Sequence, residues 1–119
     1  MVIAIDFDGT IAEHTYPECG KIKPHAKEVI NRLYNAGHEI IIWTCRWDHP
    51  MELCRQFLAE HGIKYHKLNE HVDWAIEMFK NDTRKIFADV YIDDRQLGGI
   101  PDCWLKIEKL LHKKHLKSK

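Results

Sequence analysis

A chain of 119 residues holds enough apolar material for one packed core and not for two, so a single domain spanning 1–119 is expected. Its 18 Lys and Arg balance 18 Asp and Glu, which leaves no overall field to draw the chain to nucleic acid or to a membrane surface. No apolar run approaches the roughly 20 residues of a membrane span, and the amino terminus runs straight into an apolar strand, so no cleaved signal peptide is expected. The 4 cysteines, Cys19, Cys45, Cys54 and Cys103, show no CxxC spacing and read as free thiols in a reducing cytoplasm.

The first element is Val2-Ile3-Ala4-Ile5, too short for a helix, rich in β-branched residues and without a polar face. Such a run predicts a strand buried on both sides, as at the centre of a parallel sheet. It stops at Asp6-Phe7-Asp8-Gly9-Thr10. Side chains two apart on an extended chain point the same way, so Asp6 and Asp8 can face one crevice beyond the strand end. Two carboxylates this close repel, and one takes up a proton unless a cation sits between them. The pair therefore points to a metal site, to an acid/base pair, or to both.

An irregular stretch, 11–23, follows and must lie over or beside that crevice. Pro24 opens a helix with Ala26, Val29, Ile30 and Leu33 at helical spacing, ended by Gly37. Ile40-Ile41-Ile42-Trp43-Thr44 is a second buried strand ending on a polar residue. Pro50 starts a second helix with Leu53, Phe57 and Leu58 inward, closed by Gly62. Residues 63–68 read as a weaker edge strand, and 72–80 as a helix with Ile76 and Phe79 inward. Residues 86–92 form a fourth apolar run that ends on Asp93-Asp94-Arg95. Pro101 then opens a last helix with Trp104, Ile107, Leu110 and Leu111 on one face. Its basic end, 112–119, reads as solvated helix rather than as a binding patch.

Strands alternating with helices predict a parallel sheet with right-handed crossovers. In such a sheet Asp6, Asp8, Thr44, Asp93 and Asp94 all fall along one edge, and that convergence outweighs any single motif. The 9 histidines carry no metal spacing, since His61, His66 and His71 recur in fives, and they read as scattered surface residues. Trp43, Trp74 and Trp104 read as core. Trp47, in the loop after Thr44, is a candidate substrate contact.

The segments DFDGT at 6–10, the apolar run ending in Thr44 and YIDD at 91–94 resemble motifs I, II and IV of the haloacid dehalogenase (HAD) superfamily. The resemblance implies a Rossmann-like three-layer α/β sandwich with about four parallel strands. It also implies an aspartate-based phosphatase that hydrolyses phosphomonoesters through an aspartyl-phosphate. It makes Asp6 the nucleophile, Asp8 the general acid and base, and Thr44 a donor to the phosphoryl group. It implies Mg²⁺ held by Asp6, the backbone carbonyl of Asp8, Asp93 and Asp94. A lysine should offset phosphoryl charge, and Lys85 is favoured over Lys80. Arg46 and Arg95 either bind substrate phosphate or pair with a nearby carboxylate.

About 13 irregular residues after the first motif are too few for the cap domain that many relatives carry, so a capless member with an open site is expected. Open sites suit large substrates, and a sugar phosphate, nucleotide, polynucleotide end or phosphoprotein are not distinguished by the sequence. Oligomeric state is not indicated either. A receiver-like phospho-acceptor and a catalytically idle binding module of the same fold remain as alternatives. The receiver arrangement places its acidic pair after the first strand and its phosphorylated aspartate after the third, unlike this chain.

Overall fold

The structure is a computed structural model and describes residues 1–117. Strand β1 (Val2–Ile5) lies at the centre, with β2 (Glu39–Ile42) on one side and β4 (Val90–Ile92) on the other; β3 (Lys67–Leu68) forms the edge beyond β2. All pairings are parallel, and Ile5 stands in register with Ile42 and with Ile92. Helices α1 (Ala26–Asn35), α2 (Asp48–Glu60), α3 (Asp73–Phe79) and α4 (Trp104–Lys117) alternate with the strands.

The alternation of side chains along β1 and β2 divides the core. Ile3, Ile5, Ile40 and Ile42 pack with Val29, Ile30 and Leu33 of α1, Phe57 and Leu58 of α2, and Trp104, Ile107 and Leu111 of α4. Val2, Ala4 and Ile41 face the other way, onto Val72, Ala75, Ile86 and Ala88. Two apolar faces covered by separate layers make the three-layer α/β sandwich. Helix α1 buries residues at positions i, i+3, i+4 and i+7 and ends at Gly37 (φ +95°), where the His38 N–H donates back to the Leu33 carbonyl.

Several elements depart from their expected limits. Helix α2 begins two residues ahead of Pro50, which sits in the first turn where its missing N–H costs nothing. Strand β3 shrinks to two residues, because the His66 ring accepts the Ile40 N–H at 3.0 Å where a strand would have offered a carbonyl. Strand β4 starts only at Val90. Ahead of it Ile86 and Ala88 lie in irregular chain, yet both are buried against Val72 and Ala75.

That segment takes the sheet surface that α3 was expected to cover. Helix α3 buries Ala75 instead and leaves Ile76, Met78 and Phe79 37%, 53% and 48% exposed. Trp74 is also exposed rather than core, donating to Glu39, whereas Trp104 is buried and Trp43 half-buried. The basic end of the chain continues α4 as far as Lys117; positions 118–119 lie outside the described residues. No helix among the described residues is long and apolar enough to cross a membrane.

Candidate active site

The site grows out of the carboxyl ends of β1, β2 and β4. The ladder continues one step past each strand: the Asp6 N–H donates to the Ile92 carbonyl at 2.9 Å, and the Trp43 N–H donates to the Ile5 carbonyl at 2.8 Å. This step brings Asp6 alongside Asp93 on one side and the Trp43–Thr44 pair on the other. Immediately after, the N–H groups of Thr10, Ile11 and Ala12 all turn back onto the Phe7 carbonyl. Gly9 makes that turn at φ +85°, close against the Asp94 carboxylate. The Trp104 indole donates to the Thr10 carbonyl at 2.9 Å, so the core of α4 fixes the turn from below.

Thr10 was not singled out by the sequence reading beyond its place in the DFDGT segment. Its hydroxyl donates to Asp6 Oδ2 at 3.0 Å and accepts the Asp94 N–H at 3.1 Å, joining the first and fourth strand ends. Asp93 Oδ1 in turn accepts the Arg95 N–H at 2.9 Å. Asp6, Asp93 and Asp94 each bring a carboxylate oxygen within 4.8 Å of the others. The Asp6 carboxyl is pushed up to about 7, first by burial, then by the Asp93 charge and the hydrogen bond with Asp94, against the opposing bond from Thr10.

Burial and the two neighbouring carboxylates both disfavour a charged Asp6, and a bound cation would relieve that cost. The donor set is all oxygen and anionic, which fits a hard divalent cation such as Mg²⁺ and does not suit a soft one. Asp6, Asp93 and Asp94 are therefore the side chains that could hold it. The Asp8 carboxylate stands apart from this trio.

Asp8 is held by Arg46. Nε donates to Asp8 Oδ2 and Nη2 to Oδ1, both at 2.8 Å, in a two-point pair. Nη1 also donates to the Pro17 carbonyl at 2.7 Å and the Pro50 carbonyl at 3.0 Å, and Nη2 to the Glu18 carbonyl at 2.7 Å. All five N–H groups are thereby used within the protein, and the side chain is only 1% exposed. The two-point bond to Asp8 holds the guanidinium even more firmly protonated than usual. Of the two alternatives for Arg46, the structure shows carboxylate pairing, with every guanidinium N–H engaged within the protein.

Thr44 is fixed by a residue the sequence reading missed. Asn69 Oδ1 accepts the Thr44 N–H and Asn69 Nδ2 donates to the Thr44 carbonyl, both at 2.8 Å. Thr44 Oγ1 accepts the Arg46 N–H at 3.2 Å. Asn69 follows directly on β3 and holds a left-handed backbone, φ 57°. An asparagine just past a strand was the available signal.

A cleft of about 150 Å³ collects Asp6, Asp8, His14, Thr44, Cys45, Asp93, Asp94 and Arg95. The 11–23 stretch runs beside it, pairing with itself through Ala12 and Ile22 and contributing His14 to the wall. Trp47 stands outside that lining, 74% exposed.

Lys85 does not line this cleft. Its ammonium lies 5.3 Å from the ring centroid of Tyr91, a residue two positions ahead of Asp93. Lys80 caps α3 in left-handed geometry, φ 54°. The Lys85 segment is tied down by His71, which is buried and not a surface residue. His71 Nε2 meets the Thr83 carbonyl at 2.8 Å, and Nδ1 accepts the Phe87 N–H at 3.3 Å.

A central parallel strand ending on Asp6, an acidic trio and a separately held second carboxylate make up the candidate site of this α/β fold. The sequence pattern of the haloacid dehalogenase-like hydrolases matches residues 3–94, and the chain belongs to that family. A solved structure of a conserved protein from Bacteroides thetaiotaomicron is similar over 96% of this chain and 91% of its own, with 36% identity and a TM-score of 0.85. A chain of the Pnkp1/Rnl/Hen1 RNA repair complex shares the fold over 80% of this chain and 36% of its own, with 22% identity and a TM-score of 0.56. No curated protein matches.

Proposed function

We propose that the protein is a Mg²⁺-dependent phosphatase that hydrolyses phosphomonoesters through an aspartyl-phosphate on Asp6. The observation that carries this is the division of two carboxylates, two residues apart, between two environments. Asp6 lies with Asp93 and Asp94 in an anionic trio, while Asp8 is paired with Arg46 outside it. Carboxyl groups placed in different surroundings take different roles.

Asp6 attacks phosphorus, and the ester oxygen leaves with a proton from Asp8. Asp8 then takes a proton from the water that attacks the acyl phosphate, which returns Asp6 as a carboxylate and releases phosphate. The Thr44 hydroxyl accepts from the Arg46 N–H and keeps its own proton to donate to a phosphoryl oxygen. Mg²⁺, when held by Asp6, Asp93 and Asp94, supplies positive charge against both the carboxylates and the phosphoryl group. Lys85 is the further cation we assign to phosphoryl charge, by the family resemblance; from its place over Tyr91 its side chain must swing toward the cleft to act.

Among the described residues, the 11–23 stretch alone lies between β1 and α1 beside the cleft, with no folded unit in the position of a cap. We therefore assign substrates large enough to add contacts along the rim, such as a phosphorylated sugar chain, a polynucleotide end or a phosphoprotein. The test is turnover of an aryl phosphate with Mg²⁺ and after chelation. The account expects turnover that stops without metal and returns with Mg²⁺; full activity in a verified metal-free sample would overturn it.

A further inference from the structure

We propose that Arg46 is a positioning residue, one that aims Asp8 at the leaving group and moors the Tyr16–Glu18 turn beside it. The proposal rests on the phosphatase reading for its first half and on the fold alone for its second. Arg46 joins three stretches: the β1 exit at Asp8, the turn at Pro17 and Glu18, and the first turn of α2 at Pro50. Its guanidinium carbon also lies 5.3 Å from the Phe7 ring centroid and 5.1 Å from that of Tyr16. A buried guanidinium with every donor engaged is a rigid fixture, because moving it would strand several polar groups without partners.

The consequence for Asp8 is geometric. A carboxylate on a free rotor samples several directions, whereas one held by both oxygens on a planar fork presents one edge only. The fork is itself fixed by the turn carbonyls, so the direction of Asp8 depends on the 16–18 turn staying closed. Lysine cannot replace it: a compact ammonium with three donors cannot make the two-point bond and also reach three carbonyls.

The test is a cycle of Arg46→Lys, Asp8→Asn and the double variant, assayed on aryl phosphates of graded leaving-group basicity. If Arg46 acts through Asp8, Arg46→Lys lowers kcat/KM, which reports the phosphorylation of Asp6 and not the later hydrolysis, on the most basic leaving group by on the order of 10²-fold, the size of a general-acid contribution. The least basic leaving group should be little affected, so the dependence on leaving group steepens. In the Asp8→Asn background the lysine should cost nothing further, because residues acting as a unit are not additive. An equal loss across all leaving groups, or a full second loss in the double variant, would show a merely structural role and overturn the proposal.

The mooring half is read by amide exchange over residues 13–21, with no substrate present. Exchange there should quicken in Arg46→Lys and stay slow in Asp8→Asn, which leaves the bonds to the three carbonyls in place. Unchanged exchange in Arg46→Lys would refute the mooring. Should the lysine variant fail to fold, Arg46→Gln, neutral and planar, carries the same cycle and the same exchange measurement. A wild-type protein without turnover would refute the phosphatase reading and the first half with it, while the exchange result would still decide the second.

Discussion

Gly9 offers the sharpest stability test of the acidic trio. At φ +85° a side chain strains the backbone, and a methyl group at that position would overlap the Asp94 carboxylate. Gly9→Ala therefore carries about 1–2 kcal/mol of left-handed strain plus about 1–3 kcal/mol of overpacking, roughly 2–5 kcal/mol together. Gly37→Ala is the matched control: its φ is +95°, and a Cβ there meets nothing within 4 Å. It should cost only the strain, about 1–2 kcal/mol.

In a domain of this size each kcal/mol moves Tm by about 3–6 °C, so the two variants separate clearly in a melt followed by circular dichroism. The melts are run with and without Mg²⁺. Wild type and Gly37→Ala should gain the same Tm increment from the metal, and Gly9→Ala should gain much less, because Asp94 is pushed off its place beside Asp6. Equal Tm losses, with an unchanged Mg²⁺ increment in Gly9→Ala, would refute the reasoning.

The metal-free protein should lose stability as pH rises. The folded-state pKa of Asp6, about 7, lies above the ordinary 3.8, so its proton favours the fold at low pH. That contribution is full below the unfolded value and is lost as pH climbs through the folded one. The lowered pKa of His38 favours the fold as pH rises, so the fall is read between about pH 5 and about pH 8 as wild type against Asp6→Asn. Mg²⁺ should reverse it at the higher pH; a wild-type Tm that does not fall relative to Asp6→Asn, or one insensitive to Mg²⁺, counts against it. Asn69→Ala removes the partners of both the N–H and the carbonyl of Thr44, and should cost about 1–3 kcal/mol in a denaturant titration and lower kcat. Lys85→Ala should lower kcat by about 10²-fold or more, the scale of one lost electrostatic donor, with Lys80→Ala nearly silent. The reverse order in steady-state kinetics would move the assignment to Lys80.

The parts of the site that were legible in the sequence are those whose signals are local. An apolar run that ends on a polar or acidic residue tells both the strand and its end, so β1, β2 and β4 could be aligned and Asp6, Thr44, Asp93 and Asp94 placed on one edge. The same local logic failed where tertiary packing decides. Residues 86–88 look like strand because they are apolar, yet they are buried as irregular chain. Ile76 and Phe79 follow helical spacing but lie exposed, because that segment already covers the sheet. Partners distant in sequence were invisible as well: Arg46 meets Pro17 and Asp8, 29 and 38 positions away, and His71 reaches Thr83. A lone arginine or histidine in sequence carries no sign that its donors are already taken.

The central claim is that Asp6 becomes phosphorylated, and trapping that species tests it most directly. Wild-type protein mixed with Mg²⁺ and an aryl phosphate, quenched in acid and digested, should yield a peptide phosphorylated at Asp6. Asp6→Asn, with an unchanged circular dichroism spectrum, should show neither the adduct nor turnover. Wild-type kcat in Asp6→Asn, or phosphate carried on any other residue, would contradict the account.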